Sequence, residues 1–186
     1  LYDHKGSFKF HADISQVIDR GGEGSIIPHP KDKAQVLKIY HDGIKPNLTY
    51  QSWIDLNQLD DRFIKPIELL YYSSGEIAGF SMKLLDKSYL RISQLFTKAQ
   101  CEKMGITDTV KTIIAKELIS LIAEAHNKNI VIGDFNPYNI FFDVHGKIRL
   151  IDVDSFETPA LKHSGRQLDE IRDHYYLVAV NKESDY

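Results

Sequence analysis

The feature that most restricts how this chain can fold is a short hairpin set among oxygen-bearing side chains between Asp134 and Asp154. Two apolar runs, 140–143 and 147–151, are separated only by Val144-His145-Gly146, which suits a tight turn between antiparallel strands. The polar loop Gly133-Asp134-Phe135-Asn136-Pro137-Tyr138-Asn139 leads into the first strand, and Asp152 and Asp154 follow the second. Antiparallel pairing therefore brings Asn139 close to Asp152. Hard oxygen donors held in this way suit Mg²⁺, which takes one or two protein carboxylates or amides and completes its shell with phosphate oxygens. Asp134, offset from that pair, can accept a proton from an attacking hydroxyl. Each of these residues alone reads as a turn cap; four together at these spacings read as a site.

The first half alternates β-branched and aromatic runs with Gly, Ser, Asn and Asp clusters, which predicts strands over 14–20, 24–28, 35–41, 66–72 and 76–84. Arg20-Gly21-Gly22-Glu23-Gly24 links the first two, and Ser73-Ser74-Gly75 closes the last two as a tight hairpin. The result is an antiparallel meander crossed by one helix over 47–59, entered after Pro46 and carrying Trp53, Ile54 and Leu56. Lys38 sits inside the apolar strand Val36-Leu37-Lys38-Ile39-Tyr40. Pointing inward, it needs an anion, and the Gly-rich turn can bring backbone N–H groups to the same anion. The plainer alternative is a solvent-facing edge lysine beside an ordinary glycine turn.

From about Asp86 the pattern becomes helical. Thr107 or Asp108 can cap a long helix in which Val110, Ile113, Ile114, Leu118, Leu121, Ile122 and Ala125 follow helical spacing, leaving Lys111, Lys116, Glu117 and Glu124 largely to water. A last segment, 166–180, mixes charges with Leu168, Ile171, Tyr175, Leu177 and Val178 as a helix would. With 186 residues, 42% of them apolar and 26% charged, the chain reads as one domain, a β-rich lobe over about 1–85 and a helical lobe over about 86–186. The net charge of -3 argues against nucleic-acid binding driven by bulk positive charge. No apolar run approaches the ~20 residues that span a bilayer. Cys101, the single cysteine, excludes an internal disulfide, and the eight histidines lack metal-ligand spacing. Leu1 in place of Met reads as a trimmed chain.

The order of these pieces, from a Gly-rich hairpin and strand lysine to an Asp-x-x-x-x-Asn loop and an Asp after a buried strand, resembles the protein kinase superfamily. Gly21–Gly24 and Ile151-Asp152-Val153-Asp154-Ser155-Phe156 look most like bacterial Ser/Thr kinase-like domains. The resemblance implies an α+β, two-lobe kinase-like fold with an antiparallel β N-lobe, one helix and a reduced helical C-lobe. It also implies transfer of the γ-phosphate of ATP, with Mg²⁺, to a Ser/Thr or Tyr hydroxyl of a protein substrate. Gly21, Gly22 and Gly24 would cover the phosphates, with Asp19 where the first glycine usually stands, and Lys38 would contact the α- and β-phosphates. Met82 falls at the gatekeeper position, so the backbone of Lys83 to Leu85 would meet the adenine. Asp134 would be the catalytic base, and Asn139 and Asp152 the metal ligands.

The sequence departs from that family in four places. The helix over 47–59 has no Glu to pair with Lys38, so Asp55 or Gln51 would have to substitute. Asn136 stands where Ser/Thr kinases place Lys, and Asp154 replaces the glycine of Asp-Phe-Gly, where it could add a second carboxylate near the metal. Gly133 replaces the arginine before the catalytic Asp, which implies no control by loop phosphorylation. Few residues follow Asp154, with Asp173 as the counterpart of a bracing aspartate, so a partner protein or another surface must orient the target, and an activating protein partner fits the same reading. Minimal kinases delivered into host cells by bacteria are similarly short, which implies a cytoplasmic setting or secretion as an effector. A nucleotide-binding pseudokinase scaffold and a small-molecule kinase share these motifs. An Asp-x-Asp glycosyltransferase shares only Asp152-Val153-Asp154 and would open with βα alternation.

Overall fold

The structure, a computed structural model, describes residues 1–160; the helix expected over 166–180, with Asp173, lies outside them. Five antiparallel strands form the first sheet: β1 (Asp19–Arg20), β2 (Gly24–Pro28), β3 (Gln35–Tyr40), β4 (Pro66–Tyr71) and β5 (Ile77–Lys83), in the order β1-β2-β3-β5-β4. The helix α1 (Tyr50–Leu56) lies between β3 and β4 in the chain. It is shorter than the expected 47–59 because Thr49 and Ser52 close a capping box at its start and Asn57 caps its end.

β3 shows how the sheet divides the protein. Its side chains alternate faces, so Leu37 and Ile39 join Phe10, Ile27 and Leu70 in a small upper core. Lys38 and Tyr40 point the other way, where Tyr40 enters the main core with Leu56, Phe63 and Phe80. Glycine is required at position 79 of β5, since a Cβ there would collide with the Lys38 carbonyl. This close approach seats β5 against the strand that carries the lysine.

Three shorter strands form a second sheet, β6 (Leu90–Arg91), β7 (Ile140–Phe142) and β8 (Ile148–Leu150), in that order. Between β6 and β7 in the chain come α2 (Lys98–Lys103) and α3 (Asp108–Asn127), the latter capped by Thr107, whose side chain accepts from the Val110 N–H. Ile114, Leu121 and Ala125 of α3 are buried against Ile140, Phe142, Ile148 and Leu150. The two halves share this core and are also tied by backbone: Ile64 N–H donates to the Leu150 carbonyl and Leu150 N–H to that of Arg62, both at 2.8 Å. The architecture is α+β, with a β meander carrying one helix above a small helical part. A glycosyltransferase-like opening of alternating strands and helices is absent from the described residues.

Two expectations need correction. The first strand reaches only Asp19 and Arg20, because Asp13 folds back on the Ser15 N–H and the Gln16 amide in a turn. Ile14, Val17 and Ile18 consequently stay exposed and give a strand nothing to pack on. Residues 1–10, in contrast, form an arm whose Tyr2 exchanges two 2.9 Å backbone hydrogen bonds with Tyr71 at the edge of β4. β6, the 3₁₀ turn Ile92–Phe96 and α2 were not expected either, since they are too short to show periodicity.

Packing generates the first prediction. Leu121→Ala, at a fully buried position of α3, should lower unfolding free energy by about 2–5 kcal/mol, whereas Ile14→Ala should change it by less than about 0.5 kcal/mol. Urea denaturation of both variants checks this.

Candidate active site

The cleft between the two sheets has a volume of about 570 Å³ and is lined by residues from both halves of the chain. From above come Gly21, Gly22 and Gly24 of the first turn, Lys38 of β3, and Phe80 and Met82 of β5. Asp134, Tyr138, Asn139, Asp152, Asp154 and Ser155 line it from below. Lys83 and Leu85 do not line it. Lys83 is the last, exposed residue of β5, and the N–H of neighbouring Leu84 is taken by the Ala34 carbonyl at 2.9 Å. Of the three hinge positions singled out in the sequence, only Met82 faces the cleft.

The glycine turn is closed by a 2.9 Å hydrogen bond from Gly21 N–H to the Gly24 carbonyl. Gly24 has a steric reason to be glycine, because a Cβ would stand 2.7 Å from the Ile39 carbonyl of β3. A Cβ on Gly22 would meet nothing, so open space surrounds the tip of the turn.

In the loop 133–139, each oxygen of the Asp134 carboxylate accepts from an asparagine. Asn136 Nδ2 donates to Oδ1 at 2.7 Å and Asn139 Nδ2 donates to Oδ2 at 2.8 Å. With its Nδ2 engaged, Asn139 has its carbonyl Oδ1 left for a cation. Ile151 N–H donates to the Asn139 backbone carbonyl at 3.0 Å, continuing the β7–β8 ladder. Asn139 therefore stands one residue from Asp152 across the strands, as the hairpin reading requires. Asn136 was noted in the sequence as a missing lysine; here its amide orients the carboxylate.

Asp152 adopts the left-handed conformation, φ 63°, at the end of β8, and Ser155 N–H and Oγ both donate to its carbonyl. An aspartate tolerates this region better than most residues. The turn sends two carboxylates to the same lysine. Lys38 Nζ donates to Asp152 Oδ1 at 2.5 Å and to both oxygens of Asp154 at 2.9 and 2.8 Å. The Tyr40 hydroxyl completes the group by donating to Asp154 Oδ2 at 2.7 Å.

Burial opposes the charge on Lys38, but the carboxylates of Asp154 and Asp152 outweigh it and hold the ammonium above the usual lysine range. Burial, with the Asp154 charge adding to it, likewise pushes the Tyr40 hydroxyl up, so it stays a donor. Asp154 is itself pushed up by burial and by Asp152, against the pull of Lys38 and the Tyr40 hydrogen bond. Three converging donors make a carboxylate tolerable at this depth. Asp152 differs in that about a third of its side chain is exposed, so it reaches both the lysine and the cleft.

The helix α1 supplies no counter-charge. Asp55, its one acidic residue, is buried and accepts the Ala160 N–H at 3.2 Å, and Gln51 is exposed. The substitutes expected for a helix glutamate are therefore placed elsewhere, and Asp154 takes that ion pair. Tyr40 could have been found from the two-residue period of β3, which puts it on the face of Lys38. Asp154 and Lys38, 116 positions apart, had no such local signal.

No protein-family model matches the chain, and no curated protein matches it. Among solved structures, the crystal structure of the BubR1 kinase domain is similar over 82% of this chain and 49% of that one, with a TM-score of 0.55 and 13% sequence identity. The fold is kinase-like. The chain spans about half the length of that kinase domain. Among the described residues no helix is long and apolar enough to cross a membrane.

Gly133, which replaces an arginine in the resemblance, has its own steric reason. A Cβ there would collide with the Ser155 carbonyl, in the turn that carries Asp152 and Asp154. Gly133→Ala should therefore lower unfolding free energy by about 1–3 kcal/mol through overpacking, while Gly22→Ala should stay within about 1 kcal/mol. Thermal and urea unfolding of the two variants gives the comparison.

Proposed function

We propose that this protein is an ATP- and Mg²⁺-dependent protein kinase that transfers the γ-phosphoryl group to a Ser/Thr hydroxyl. The observation that carries the reading is the convergence of Lys38, Asp134, Asn139 and Asp152, from separate segments, on one cleft beneath a glycine turn. A site built only to stabilise the fold would have no need of an open cleft with a half-satisfied carboxylate in it.

Asp134 orients the acceptor hydroxyl and takes its proton as the new O–P bond forms and the bond between the β- and γ-phosphates breaks, releasing ADP. Its two asparagine donors fix the carboxylate so that little reorganisation accompanies the transfer. Lys38 Nζ provides the fixed positive charge for the α- and β-phosphates, and the turn of Gly21, Gly22 and Gly24 covers them. Met82 bounds the base-binding end.

The residues present fit a divalent cation. Five carboxylates but only three basic side chains line the cleft, so a polyphosphate entering it needs added positive charge. Asp152 and Asn139 Oδ1 would hold Mg²⁺, which neutralises phosphate charge and orients the transferring group. Among the described residues no cluster of three or more His, Cys, Asp or Glu could bind a metal unaided, which suits a cation that arrives with its nucleotide.

We further assign residues 1–186 to one kinase-like domain, with lobes meeting near residue 85. A protein substrate, an activating protein partner and a cytoplasmic or host-cell setting belong to the same reading. Asp134→Asn and Asp152→Asn should each lower ATP-dependent phosphorylation of a generic protein acceptor by at least about 100-fold. Radiolabelled ATP with Mg²⁺ measures this, and full activity in both variants would sink the assignment. Incorporation into aminoglycoside or sugar acceptors, with none into protein, would redirect it to a small-molecule kinase.

A further inference from the structure

Lys38 faces two acidic neighbours with different duties. Asp152, about a third exposed at the cleft, is the carboxylate within reach of a cation. Asp154 is buried, and both of its oxygens are committed to Lys38, with the Tyr40 hydroxyl as a third donor. Were Asp152 to turn to a cation, Lys38 would still keep a bidentate partner. Were residue 154 a glycine, Lys38 would lose the one buried counter-charge it has among the described residues, because Asp55 of α1 is engaged with Ala160.

The turn carrying Asp154 is fixed from several sides. Val153 and Phe156 are buried in the main core, and Phe156 N–H donates to the Val153 carbonyl at 3.1 Å. Val131 and Glu157 exchange backbone hydrogen bonds at 2.9 and 3.0 Å, joining the turn to the entry of the Asp134 loop. Gly133 lies directly under the Ser155 carbonyl. Lysine, cation-facing carboxylate and proton-accepting loop are thereby tied to one turn, with no member supplied by α1.

We propose that Asp154 is a positioning residue that holds Lys38 for the nucleotide phosphates. It does so in place of a helix carboxylate, so that assembly of the site does not depend on movement of α1. This rests on the kinase reading above. In this role Asp154 acts through Lys38, to which both of its oxygens are committed.

The test uses the full chain as wild type and as Asp154→Asn, Tyr40→Phe and Asp55→Asn, with far-UV circular dichroism to establish folding. A fluorescent ATP analogue with Mg²⁺ reports binding, and steady-state phosphorylation gives kcat and KM separately. Asp154→Asn keeps the shape but loses the charge. It should raise KM for ATP and lower kcat, with kcat/KM falling on the order of 100-fold, as expected when a phosphate-contacting group is misplaced by about 1 Å. Tyr40→Phe should shift KM in the same direction by a smaller factor, and Asp55→Asn should leave KM and kcat at wild-type values. A merely structural Asp154 would lower stability yet leave KM and kcat unchanged per folded molecule. That result in Asp154→Asn overturns the proposal while the kinase reading stands. If Asp154→Asn does not fold, Tyr40→Phe decides, and a folded Tyr40→Phe with wild-type KM overturns it. A loss in Asp55→Asn as large as that in Asp154→Asn returns the role to α1 and also overturns it. A wild-type protein that neither binds the analogue nor transfers phosphate overturns the kinase reading and this proposal together.

Discussion

A lysine ammonium buried beneath a β-sheet must be met by negative charge, since moving an unpaired ion out of water costs several kcal/mol even after the protein relaxes. How Lys38 is met organises the centre of this molecule. β3 directs it downward because alternate residues of a strand face opposite sides, and Gly79 lets β5 close on its carbonyl. Asp152 and Asp154 come up from the end of β8, where a left-handed residue turns the chain so that both carboxylates reach one nitrogen. Tyr40, two residues along the same strand face, supplies the last hydrogen bond. The pair therefore fastens the upper sheet to the lower hairpin at the point where a ligand would enter.

Backbone pairing gives a second fastening. The segment 62–64, between α1 and β4, runs beside β8 through hydrogen bonds at Arg62, Ile64 and Leu150, with Phe63 and Phe156 packed edge to face below it. The main core then continues from Tyr40 and Phe80 through Phe63 and Leu150 to Leu121 of α3 without a break. A cleft bounded by parts so closely joined holds its charged groups in place before any ligand arrives, as the proposed phosphoryl transfer would require.

Residues that look like defects beside the kinase pattern acquire local reasons in the structure. Gly133 avoids the Ser155 carbonyl, and Asn136 binds the carboxylate of Asp134. Asp154 occupies a glycine position yet gives Lys38 the partner that α1 lacks. These three substitutions are coupled in space. Gly133 and Asp154 touch the same turn, and Asn136 belongs to the loop that pairs with it through Val131 and Glu157.

Local patterns carried much of this into view. The period-2 runs and the short turns around Ser73-Ser74-Gly75 and Val144-His145-Gly146 determined the hairpins and the nearness of Asn139 to Asp152, because register in a tight hairpin is a local property. The apolar spacing, with a cap at Thr107 or Asp108, determined the start of α3 to within a residue. Elements too short for a period, such as β6 and α2, were not legible, and the strand expected over 14–20 yielded to a side-chain turn at Asp13. The sequence by itself thus determined which segments pair with their neighbours and which residue types could do chemistry. Only the tertiary structure decided that Asp154, and no residue of α1, is the buried partner of Lys38 beside Asp152. That pairing joins positions 116 apart and depends on the direction in which one left-handed residue turns the chain, which no periodicity encodes.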